Sequence, residues 1–153
     1  MTERIVIVGG PRRGKSTLAQ EIVNSVFSHP APWVIHHRCG DPLSKVKDPL
    51  PQVEYLPEKI PFAGDEGAAQ WVTDNWFPMP GPWVLEGHVM ARALLRWLDG
   101  KRGDDPDYPC DRIFVLDRPG FGMPSPRQNS MHKGVMTTWS KIADYFEPIT
   151  EYR

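Results

Sequence analysis

The stretch that decides the fold is Ile5-Val6-Ile7-Val8-Gly9-Gly10-Pro11-Arg12-Arg13-Gly14-Lys15-Ser16-Thr17. Four β-branched aliphatics in a row, ended by glycine, read as a strand buried on both faces, the habit of parallel sheets. Residues 9–16 then fit GxxxxGK[ST] in full. Glycines let the backbone curl so that successive N–H groups point inward at phosphate oxygens. Lys15 supplies a point charge for the β- and γ-phosphates, and Ser16 a hydroxyl for Mg²⁺. Helical spacing follows over residues 15–27, with Leu18, Ile22, Val23 and Val26 on one face. The positive end of that helix adds to the anion site. Strand, glycine loop and helix together predict that Gly9, Gly10, Arg12, Arg13, Gly14, Lys15, Ser16 and Thr17 hold a nucleoside triphosphate, ATP or GTP, with Mg²⁺. Arg13 sits either beside the transferring phosphoryl group or in solvent.

Working outward, further strands are expected over residues 33–36, over 83–85 ending on Glu86, and over 112–116 ending on Asp117. Between the first two, residues 36–62 are proline-broken and read as mostly irregular. Helical patterns cover 65–77, 89–98 and 132–146, and residues 118–130 read as a loop rich in Gly, Pro and Arg. The tail, EPITEYR, either adds a short strand or only closes the last helix. Strands alternating with helices predict an α/β fold with right-handed crossovers. The expectation is one domain over residues 1–153, a P-loop NTPase three-layer sandwich with a parallel sheet of about four to five strands and a lid-like segment over 118–132.

Composition narrows the class. The chain has 153 residues, enough for one core but not comfortably for two. It has no apolar run near the roughly 18–20 residues that span a bilayer. The start, MTERIVIVGG, lacks the features of a signal peptide, which predicts a cytoplasmic protein. Cys39 and Cys110 form neither a CxxC pair nor a zinc spacing and read as two reduced thiols. A net charge of −1 announces no global field for nucleic acid, although a local groove would suffice. There is no Asn/Thr-Lys-x-Asp for guanine and no LSGGQ. What remains fits the small kinases of nucleotides or polynucleotide ends.

The last third, PSPRQNSMHKGVMTTWSKI, is similar to a pattern in small phage-type P-loop kinases, where an arginine loop leads into Lys-Gly-Val, a threonine and Trp. The resemblance covers the glycine loop, the Leu85-Glu86-Gly87 strand end and Lys133-Gly134-Val135…Thr138-Trp139. That group includes DNA kinases that phosphorylate 5-hydroxymethyluracil within phage DNA. The resemblance implies an ATP-dependent kinase of that kind, acting in host cytoplasm if phage-encoded. It makes Lys133 a site candidate.

An acceptor hydroxyl needs a carboxylate to orient it, and the transferring group needs cations. Asp41 with Arg38 resembles the base–arginine pair of small nucleic-acid end kinases; the alternative is a turn former before Pro42. Glu86 is a candidate base or Mg²⁺ ligand; the alternative is a carboxylate capping the following helix. Asp117 is the less favoured Mg²⁺ acid, because it runs straight into the lid-like loop. Arg118 and Arg127 flank that loop and are candidates to close over ATP. His36, His37, His88 and His132 have no metal spacing and read as structural or solvent-facing. Trp71, Trp76, Phe77 and Met79 either stack an acceptor base or pack the core. Arg92, Arg96, Lys101 and Arg102 either track a DNA backbone or form a solvated face. Three readings stand: a DNA base kinase, a kinase of free nucleosides or nucleoside monophosphates, and a nucleotide-binding regulatory NTPase.

Overall fold

The computed structural model describes residues 3–10, 15–25, 35–37, 53–55, 65–80, 83–101, 107–117 and 125–153. In chain order these form β1 (Arg4–Val8), α1 (Lys15–Ser25), β2 (Ile35–His37), β3 (Val53–Tyr55), α2 (Asp65–Trp71), a π-helical turn (Val72–Trp76), β4 (Trp83–Glu86), α3 (Met90–Gly100), β5 (Arg112–Val115), α4 (Pro126–Ser140), α5 (Ala143–Phe146), a 3₁₀ turn (Glu147–Ile149) and β6 (Thr150–Tyr152).

The strands make one six-stranded sheet in the order β3-β2-β4-β1-β5-β6, and every neighbouring pair is parallel. The α/β class and parallel pairing agree with the pattern read from the sequence. The strand count does not: six strands stand where four to five were expected. The unexpected strand is β3, inside the proline-broken stretch, while β6 realises one of the two alternatives for the tail. Each is three residues long. So short a strand carries too little alternation to announce itself, and its ladder partner defines it.

β1 lies between β4 and β5, so both its edges are paired, and with helices packed on both faces residues Ile5 to Val8 have no exposed surface. Alternation sorts the core. Ile5, Ile7, Val84, Phe114 and Leu116 pack on one face with Leu18, Ala19 and Ile22 of α1. Val6, Val8, Trp83, Leu85, Ile113 and Val115 pack on the other with α2, α3, α4 and α5. Helices therefore cover both faces of the sheet.

The C-terminal helix differs from its expected extent. It begins at Pro126 rather than residue 132, because Ser125 and Gln128 form a reciprocal capping box and Pro126 sits at the first helical position. It also breaks at Lys141–Ile142 before α5. Phe146 of α5 is fully buried among Trp97, Tyr108, Trp139 and Tyr145, at ring centroid separations of 5.1–6.2 Å. This aromatic knot closes one end of the α3–α4 face.

Residues 65–77, expected as one helix, are α2 followed by the π turn. Trp76 and Phe77 are buried, Phe77 stacks on Trp83, and the Trp83 Nε1–H donates to the Met79 carbonyl. The core reading therefore holds for Trp76 and Phe77. Trp71 is half-buried, and its Nε1–H is buried without a hydrogen-bond partner. Among the described residues no helix is long and apolar enough to cross a membrane. Cys110 is buried, and burial pushes its thiol far above the usual range, which makes it chemically inert. Cys39 lies outside the described residues.

Candidate functional site

The chain leaves β1 through α1 toward β2 on one side of the sheet. It leaves β5 through α4 toward β6 on the other side. The two connections lie on opposite faces. The carboxyl ends of β1 and β5 therefore flank a topological switch point, where open α/β sheets hold ligands. The glycine loop begins there.

Three groups meet at its start. The Gly10 N–H donates to His132 Nδ1 at 3.0 Å. The Lys15 ammonium donates to the Gly10 carbonyl at 2.8 Å. His132 Nε2 lies 2.7 Å from Asp117 Oδ1. A backbone N–H only donates, so Nδ1 accepts and carries no proton. The ring proton is then on Nε2 and is donated to the Asp117 carboxylate. His132 is 5 % exposed, and the fit around it is tight. A Cβ on Gly10 would stand 2.5 Å from His132 Cα and Cβ, so only glycine permits α4 to approach this closely.

Glu86 is the second pole. It is fully buried at the end of β4, paired in register with Ile7 of β1. Alternation puts it on the face of Val84, which is the α1 face. Asp117 follows Leu116 by one residue and so turns to the opposite face, where α4 supplies His132. Of the two strand-end acids, Glu86 is the one on the side of Lys15 and α1. The strand ends sharply because Gly87 has φ +148°, a conformation that favours glycine. α3 then begins at Met90.

The remaining candidates divide. Arg127 and Lys133 are exposed on α4, so Arg127 sits on a helix rather than in a loop. Thr17 is exposed on the first turn of α1. Gly9 is buried at the end of β1. Arg12, Arg13, Gly14, Arg38, Asp41 and Arg118 lie outside the described residues, as does the side chain of Ser16. The basic run is partly neutralised: Arg92 and Arg96 both pair with Glu66 of α2, and Arg96 also reaches Gln70. The two guanidiniums hold the Glu66 carboxyl below its ordinary range, Arg96 most strongly.

A cleft of ≈ 150 Å³ separates α3 from α4, lined by His88, Ala91 and Arg92 on one side and Met131, Gly134 and Thr138 on the other. Gly134 has open space where a side chain would be. Of the two readings of His132, structural or solvent-facing, the structure bears out the structural one, since the residue is buried and bonded at both ring nitrogens. The signal for it was present: an early helix start at Ser125 puts His132 on the face of Val135 and Trp139, three and seven residues on.

Comparison of the chain with protein-family models, with curated proteins and with solved structures returned no match. Among the described residues, no cluster of three His, Cys, Asp or Glu side chains is arranged to hold a metal ion. Mg²⁺ does not require one. It keeps several waters and takes one or two protein oxygens beside substrate phosphates. A buried carboxylate at Glu86 and the hydroxyl of Ser16 are donors of that chemistry.

Proposed function

We propose that the chain is an ATP- and Mg²⁺-dependent P-loop kinase, built as a three-layer P-loop NTPase sandwich, that phosphorylates a hydroxyl of a nucleotide-type acceptor. The favoured acceptor is 5-hydroxymethyluracil in DNA. One observation carries the reading. A complete GxxxxGKS loop leads from β1 into α1, and the neighbouring strand ends in a buried carboxylate on the α1 side of the sheet. Bound Mg²⁺ would neutralise phosphate charge, with Ser16 and Glu86 as its protein oxygens. Lys15 carries the fixed positive charge for the β- and γ-phosphates. The first turn of α1 adds N–H groups that the helix itself does not use. Arg127 and Lys133 are assigned to the acceptor or the transferring group, because they ride on the helix that His132 ties to the loop. The α3–α4 cleft is assigned to the acceptor, since it shares α4 with His132.

A second reading is a kinase of free nucleosides or nucleoside monophosphates. It is favoured by the pairing of Arg92 and Arg96 with Glu66, which removes two cations from any backbone-tracking stripe. The test is an acceptor screen with γ-labelled ATP and Mg²⁺ on duplex DNA containing 5-hydroxymethyluracil, plain DNA with 5′-hydroxyl ends, and free nucleosides and monophosphates. Label in modified DNA alone is the expected result. Label only in small molecules moves the enzyme to the second reading. Hydrolysis without transfer to any acceptor makes it a nucleotide-binding NTPase.

A further inference from the structure

His132 is absorbed by none of the roles above, yet it makes the best-defined polar contacts of the site. It bridges two segments 15 and 122 residues away in sequence. One is Gly10, inside the phosphate loop. The other is Asp117, the last described residue before the β5–α4 connection. Both nitrogens of a 5 % exposed ring are used, and their roles are fixed by the Gly10 N–H. The glycine is required for the approach. We propose that His132 is a positioning residue that locks the phosphate loop to α4 and to the root of the β5–α4 connection, in its neutral Nε2–H form. The inference rests on the reading of residues 9–16 as a nucleotide site.

Two consequences follow. The Gly10 N–H is spent on the imidazole, so among the described residues the phosphates are left to Lys15 and the start of α1. The lock also fixes where the loop starts, so its loss weakens nucleotide binding more than it slows transfer. The Gly10 link carries this effect, because it alone touches the loop.

Side chains of different reach separate the two links. In His132→Asn the carboxamide oxygen stands near the place of Nδ1 and still accepts from Gly10, while the Asp117 link is lost. In His132→Gln the amide nitrogen reaches Asp117, while the Gly10 link is lost. The measurement is calorimetric titration with ATP and Mg²⁺, with steady-state KM and kcat beside it. The expected result is affinity within about threefold of native for Asn and about ten-fold weaker for Gln, the scale of one buried hydrogen bond, with kcat changed less than KM. Gln equal to Asn in affinity overturns the lock. So does a fall in melting temperature with affinity unmoved. Native protein that binds no ATP overturns the nucleotide reading and this inference with it. On the native protein alone, ¹⁵N spectra should show His132 protonated at Nε2, with scalar coupling from the Gly10 amide to Nδ1. A proton on Nδ1 overturns the lock whatever the variants do.

Discussion

The two strands that flank β1 each lead to an acid, Glu86 at the end of β4 and Asp117 two residues past the end of β5, and the acids live in different surroundings. Glu86, at the end of β4, has no exposed surface. Asp117, after β5, has a side chain that is 65 % exposed and held by one histidine. Strand alternation is the cause. Glu86 falls in phase with Val84, on the α1 face, and Asp117 falls one step out of phase, against His132 of α4. Two sequence-similar strand ends, WVLE and FVLD, therefore differ in what they can serve. A carboxylate buried beside a helix start suits a cation held between protein and phosphate. An exposed carboxylate on an imidazole suits orientation of that imidazole.

The strongest way to break this contrast is at the lysine on the Glu86 side of the sheet. Lys15→Ala is expected to lower phosphoryl transfer by about 10³-fold or more, since charge neutralisation is the main catalytic term. Circular dichroism and the melting temperature should stay native. Normal turnover in this variant would remove the phosphate-cradle argument.

The contrast is sharpened by swapping charge for amide at each acid. Glu86→Gln is expected to cost about 10²-fold in kcat, on the scale of one preorganised electrostatic group. Asp117→Asn should cost less than about ten-fold, because an amide oxygen still accepts from His132 Nε2. Steady-state kinetics of the pair checks this, and the reverse order would make Asp117 the acid that serves the reaction.

The same comparison can be made with one substitution at two glycines. Gly10→Ala puts a methyl against α4 and should destabilise by about 1–3 kcal/mol, the range of overpacking. Gly134→Ala enters open space within a helix and should stabilise by roughly 0.5–1 kcal/mol. Chemical denaturation of both variants checks the opposite signs. Two shifts of the same sign would mean that α4 does not sit as described.

The smallest effect belongs to the α2–α3 clamp. Glu66 is held below its ordinary range by Arg96 and Arg92, so its contribution is present at neutral pH and is lost as pH falls through its folded-state value. The group is exposed, so the contribution is under about 1 kcal/mol and weakens with salt. Glu66→Gln should lower the melting temperature by no more than about 2–4 °C at neutral pH. In acid it should match the native protein.

Much of the frame could be read from residues alone. The run Ile5–Val8 could only be a buried strand, and Gly9 to Ser16 could only lead it into a helix, because both signals are local and dense. Four strands, the α/β class and the acids at strand ends followed from alternation. β3 did not, and β6 was one of two readings of the tail, since strands this short are settled by the partner that pairs with them. The start of α4 was written in Ser125, Pro126 and Gln128, but a Gly- and Pro-rich approach hid it. What no local pattern contains is the meeting of Gly10, His132 and Asp117. Those residues come from three segments far apart in sequence, and the order of strands around β1 brings them together. The face on which each acid sits was likewise decided by register across the sheet, because one residue of phase turns a side chain from one helical layer to the other.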